Sequence, residues 1–355
     1  MNEREDNLDR QTDRQTDRQT DRQTDRQTDS LSIVNTNCLK GLFAIGILCH
    51  HLYQCSGILR ETLIGHGLQA IGYWLVGGFF FLSGYGLMRS YQKGGKDYVR
   101  RLPLKRILPL VIIYVFLTGI YAVERLLLSE NINVGLVFKS FLFGHTIIGL
   151  GWYLQVQLLF YVFFYLLFRF FEEKLSVVWV TAIVLAYMAF CFFHGLSYTW
   201  YVTSIAFPVG VCYAYFSPTV RGATKRLFLL ALSVALCGVA YFAQSRIDST
   251  SFKAILLSLS TIGFVFFVIF SLSVVPIKNK VTTAIGDISL EIYTLQAIYL
   301  NLFKSNLDNI NNPYLYIILV VVSTIATSIA LHPLYMLSFN VGLSLSKTNQ
   351  KQESV

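Results

Sequence analysis

From residue 32 to residue 341 the chain is a succession of long apolar runs divided by short polar breaks, without the strict alternation that marks a strand. A run of about 20 apolar residues is long enough to cross a bilayer as a helix. Such runs occupy 32–56, 68–90, 104–124, 148–171, 175–194, 197–217, 226–245, 254–275, 282–303 and 313–341. The stretch 134–147 is too short and carries Lys139 and His145, so it reads as a re-entrant or interfacial piece. The fold expected is an all-α polytopic membrane protein with about ten transmembrane helices and a single domain over 32–341.

Composition agrees with the pattern. Only 14% of residues are charged and mean hydropathy is +0.53, whereas a soluble domain carries roughly a quarter charged residues. Ten spans put the seven basic residues from Arg89 to Arg106, then Arg169, Lys174, Arg221, Lys225, Arg226, Lys278, Lys280, Lys347 and Lys351, on one side. Counting 134–147 as an eleventh span would scatter them. A positive-inside arrangement therefore places both termini in the cytoplasm and the chain in a bacterial inner membrane. The net charge of +9 hides a split, since residues 1–30 are net −3 and the remainder carries +12; that surplus sits in short loops, where it reports topology and meets lipid and does not mark a nucleic-acid partner.

Both ends of the chain read as tails. Residues 9–28 are five perfect copies of Asp-Arg-Gln-Thr. With no apolar residue in the repeat to bury, residues 1–31 are expected to be a disordered cytoplasmic tail, and no cleavable signal sequence is expected. One permitted codon set, GAC AGA CAG ACA, is a repeated tetranucleotide that encodes the same cycle in all three frames. Slippage in it would shift the downstream frame, which suggests on/off variation of the gene. Residues 342–355 read as a cytoplasmic C-terminal tail.

Chemistry is expected where polar groups interrupt the apolar runs, because such groups are costly in a membrane. Lys40 and His51 lie eleven residues apart on the first span, so they share a helix face about 16 Å apart along the axis. His51, with His50 beside it, has the chemistry of a general base; the plainer alternative is a pair of histidines bonded to backbone carbonyls. Arg100, Arg101, Lys105 and Arg106 suit phosphate, or serve only as a topology anchor. Ser83 and Gly84 permit close approach to the backbone. Trp152 and Tyr153 line a substrate path or sit at the membrane interface. Glu291 needs a partner, with Lys or Arg from another helix the natural one. The six cysteines have no CxxC spacing and read as inert thiols, with no metal site.

Taken in order, these pieces resemble the acyltransferase-3 family of integral-membrane acyltransferases. Lys40 and His51 match its basic residue, ten intervening residues and histidine. Phe81-Leu82-Ser83-Gly84 resembles its glycine-rich segment, Arg100, Arg101 and Arg106 before Ile107-Leu108-Pro109 its arginine-rich helix entry, and Trp152-Tyr153-Leu154 its fourth span. Two departures stand out: Pro103 occupies a position where the family carries arginine, and Gln296 one where it often carries histidine. The resemblance implies transfer of an acyl group, often acetyl, from cytoplasmic acyl-CoA to a glycan or glycolipid hydroxyl. Acetyl-CoA would be a donor substrate and no cofactor would be tightly bound. A fused extracytoplasmic hydrolase-like domain, present in some relatives, is not expected. The acceptor expected is a surface polysaccharide or lipopolysaccharide sugar; the rival functions are a glycan-precursor transporter or flippase, and a non-enzymatic assembly partner.

Overall fold

A computed structural model describes residues 31–353 apart from 131, 217–221, 276, 278 and 306–308, with side chains as far as 346. The repeat tail lies outside the described residues. Among the described residues the chain is helical, with no strand. Helix α1 (Ile33–Ser56) begins at Ser32, whose side chain accepts the Asn35 N–H, and ends at Gly57 in the left-handed region. α2 (Leu63–Leu102) runs through a π-helical turn over Pro103–Ile107 into α3 (Leu108–Leu127). Then follow α4 (Val134–Lys139), α5 (Trp152–Phe170), α6 (Glu173–Phe193) and α7 (Ala206–Phe216). The rest are α8 (Ala223–Gln244), α9 (Thr250–Val274), α10 (Lys280–Asp287), α11 (Ser289–Leu302) and α12 (Pro313–Glu353).

Seven helical segments are long and apolar enough to cross a membrane, and one of them, the 65-residue stretch Leu63–Leu127, contains two of the expected spans. This is a multi-pass membrane protein. Two expected spans take another form. In 197–217 only the 11-residue α7 is regular, about 16 Å of helix and too short to cross alone. The run 282–303 is broken between Asp287 and Ser289 into α10 and α11.

Two boundaries also move. The basic stretch before residue 107, expected as a loop, is helical, because Lys and Arg are good helix formers. Its one interruption is Gly95, whose φ of 54° only glycine adopts freely. α12 continues past residue 341 to Glu353, because Gly342, which could have capped it, keeps helical backbone and packs against the Leu104 carbonyl. The stretch 134–147 holds only the six-residue α4 and turns, too short to span.

Outer faces are apolar and bare: Phe228 and Phe242 on α8 are 65% and 72% exposed. Lipid, which offers no penalty to such a surface, is the solvent that fits. The interior is packed with aromatics, among them Phe80, Phe160, Phe164 and Phe207, all fully buried. Where α1 crosses α10, a Cβ on Gly41 would strike the Thr282 carbonyl, and one on Gly286 the Asn37 carbonyl. The two backbones can touch only because both residues are glycine. That contact brings Asp287 beside α1.

Candidate active site

Helices α1, α2, α5 and α12, the π-turn and the α10–α11 break converge on a cavity of about 240 Å³. Arg106 and Asp287 are exposed and Lys40 is half-buried, so these three form its rim; Gln157, Tyr153 and Glu291 are buried and form its floor.

At the rim, Lys40 Nζ donates to Asn37 Oδ1 at 3.3 Å, and Asn37 Nδ2 donates to Asp287 Oδ1 at 2.7 Å. Lys40 also feels the charges of Arg106 and Asp287 directly. Among the described residues neither Lys40 nor Arg106 makes an ion pair. Two cations held near each other repel unless an anion stands between them. The rim thus gathers two cations, Lys40 and Arg106, and one carboxylate, Asp287.

On the floor, His332 Nδ1 donates to Glu291 Oε1 at 2.6 Å, and the glutamate side chain is only 3% exposed. The partner of the buried carboxylate is thus an imidazole and not the expected Lys or Arg. Tyr153, Tyr161 and Ser83 line the cavity together. Gln157 is 3% exposed and neither atom of its amide has a hydrogen-bond partner. Behind the floor, Tyr121 donates to the Thr294 carbonyl at 2.7 Å and Thr294 shares a 2.8 Å bond with Tyr335. These bonds fix α11 against α3 and α12.

Of the residues expected to act, the cavity gathers Lys40, Ser83, Arg106, Tyr153 and Glu291. His51 does not line it. Its Nδ1 faces Gln54 Oε1 at 3.2 Å, and between it and Lys40 on the same face stand Ala44 and Ile47, both fully buried. His50 bonds the Leu68 carbonyl at 2.7 Å and its ring packs on Gly72, a helix-packing role. Arg100 pairs with Asp97 at 3.4 Å, Arg101 donates to the Asp97 carbonyl at 3.0 Å, and neither they nor Lys105 line the cavity. Gly84 lies against the Phe207 carbonyl, so its role is to let α2 and α7 touch. Trp152 does not line the cavity; its ring makes a tilted contact with Trp200, centroids 6.5 Å apart. The sequence reading left out His332, Gln157, Tyr161 and Asp287. The signal for His332 was the one that singled out Glu291, an ionisable group inside an apolar run.

A family model described as an acyltransferase domain matches residues 33–332. The chain belongs to the acyltransferase-3 family. The matched part of this membrane acyltransferase contains Lys40, Arg106, Gln157, Glu291 and His332, so the cavity lies within the acyltransferase domain. Comparisons with curated proteins and with solved structures give no match.

Proposed function

We propose that this acyltransferase moves an acyl group, acetyl in the simplest case, from cytoplasmic acyl-CoA to a hydroxyl of a surface polysaccharide or lipopolysaccharide sugar. The observation that carries the reading is the presence of two cations, Lys40 and Arg106, neither in an ion pair among the described residues, at the rim of a cavity with a polar floor. Arginine and lysine bind phosphate oxygens through charge-assisted hydrogen bonds, and the nucleotide end of coenzyme A carries phosphates. At about 240 Å³ the cavity falls below the roughly 300–1,000 Å³ usual for a drug-sized ligand. It suits an acyl-pantetheine end with an incoming hydroxyl, while the nucleotide stays at the rim. Positive-inside placement of the basic residues around Arg106 supports a rim on the cytoplasmic side of a bacterial inner membrane, the side on which acyl-CoA is available. The slippage-prone repeat supports an exposed product, since on/off variation is useful mainly for surface structures.

The test is mass spectrometry of surface glycans from cells with the gene in frame, deleted, or carrying Lys40→Ala and Arg106→Ala together. The expected result is one acetyl mass per modified sugar with the intact gene, and its loss in the other two strains. Unchanged acylation with altered glycan amount or chain length would sink the enzyme reading in favour of a transporter or flippase.

A further inference from the structure

We propose that the Gln157 side chain positions the acyl donor by pairing with the amides of the coenzyme A arm; the assignment rests on the acyl-transfer reading above. Gln157 is 3% exposed, and neither Oε1 nor Nε2 has a hydrogen-bond partner. Buried polar groups are almost always paired, so a whole amide left open calls for a partner from outside the fold. The other two glutamines with a buried amide atom differ. Gln155 donates through Nε2 to the Ser140 and His145 carbonyls at 2.9 and 2.6 Å, and Gln296 donates to the Tyr293 carbonyl at 3.2 Å. Each keeps one unpaired oxygen; among the described residues only Gln157 has both ends of a buried amide open.

Its place on α5 gives the amide its direction. Tyr153, Gln157 and Tyr161 follow one another at four-residue spacing, so they form a single stripe about 12 Å long. All three line the cavity. The π-turn that carries Arg106 packs against α5, and the Arg106 charge acts on Tyr161. Tyr153, at the other end of the stripe, meets the Tyr293 ring edge-on with centroids 5.0 Å apart. Gln157 therefore stands midway between the cationic rim and the deep end, with Phe79 of α2 bordering the same space.

The open amide also selects a chemistry. A carboxamide donates through Nε2–H and accepts through Oε1. Phosphate, thioester and ester groups only accept, and none of them can satisfy Oε1. The arm of coenzyme A carries two secondary amides between its phosphates and its thioester, each with an N–H and a C=O. With the nucleotide at Lys40 and Arg106, that stretch of the arm is the part that lies midway down the cavity. A sugar hydroxyl also donates and accepts, but the order of phosphates, amides and thioester from rim to depth belongs to the donor. Holding the arm at this point sets the depth of the thioester, so binding energy away from the reacting atoms is used to place them.

The test uses membranes from cells making the full chain, at matched protein levels, with the membranes' own glycolipid as acceptor. Two radiolabelled donors are compared: acetyl-CoA, and an analogue of it with methylene groups in place of both arm amides. Wild type should favour acetyl-CoA in kcat/KM by about 10-fold or more, the worth of two neutral hydrogen bonds. Gln157→Met should bring the two donors level by slowing transfer from acetyl-CoA. Gln157→Asn keeps an amide but withdraws it by one methylene, and should lose most of the preference as well. A wild type indifferent to the two donors overturns the assignment. So does a Gln157→Met protein that slows both donors equally, since the amide then serves the acceptor or the fold, and so does failure of both variants to accumulate. Wild-type membranes that transfer no label from acetyl-CoA bring down the acyl-transfer reading and this inference together. Labelled wild type with a donor preference untouched by either substitution removes this inference alone.

Discussion

Gln157 carries a cost that packing does not offset. An amide buried with neither atom paired destabilises by about 1–3 kcal/mol, and both Gln157 atoms are in that state. Gln157→Met keeps the length of the side chain and removes the unpaired group. It should raise the unfolding temperature in detergent, by the equivalent of about 1 kcal/mol, while lowering the rate of label transfer. A variant that lost both stability and activity would show that the amide has a structural partner. Gly41 makes the opposite case. A methyl group at Gly41 meets the Thr282 carbonyl, so Gly41→Ala should destabilise by about 1–3 kcal/mol, measured by the same thermal scan. It should also weaken donor binding, because α10 cannot shift without moving Asp287. The sequence made Lys40 and Glu291 visible as charges within apolar runs. His332 obeys that rule but lies in the last third of the run 313–341, where a polar residue can mark the approach to a membrane surface, whereas α12 runs well beyond it. Gln157 carries no charge, so only three-dimensional accounting of its hydrogen bonds reveals it.

At the scale of elements, run length predicted helices well and their breaks poorly. The division of 282–303 at Ile288 has no proline to announce it, yet it sets Asp287 and Ser289 on the cavity wall. Irregular backbone at membrane depth is tolerated where it lines a cavity or is buried in protein. The basic segment shows a different limit. Its residues read as one phosphate-binding set, but a helix points neighbouring side chains about 100° apart, and only Arg106 faces the cavity. Lys96, from the same segment, has another use. Its Nζ donates to the Phe168 and Phe171 carbonyls, each at 2.7 Å, closing the C-terminal end of α5. A cation there satisfies carbonyls that the helix leaves open and complements its dipole. Lys96→Met should therefore cost about 1 kcal/mol of stability, seen as a lower unfolding temperature, with the affinity for acetyl-CoA unchanged. A weakened affinity would mean that the segment binds the donor collectively.

The whole molecule must present its rim to the compartment that holds the donor. Charge counting alone predicts this orientation, and α1 supplies an internal ruler for it. Lys40 is at the rim, while Cys55, an exposed free thiol on the same helix, lies fifteen residues along, about 22 Å away. The two groups thus mark opposite halves of the bilayer, whose apolar core is about 30 Å thick. A membrane-impermeant maleimide should label Cys55 in intact spheroplasts and leave Cys55→Ser unlabelled. Asp287→Cys, made in the Cys55→Ser background, should react only in inverted vesicles. The same reagent then reports both faces of one helix bundle, and each thiol controls for access to the other. Reversed labelling would put Lys40 and Arg106 on the outer face, away from cytoplasmic thioesters. The rim would then be an anion site for the acceptor glycan, and the donor would have to enter by another route.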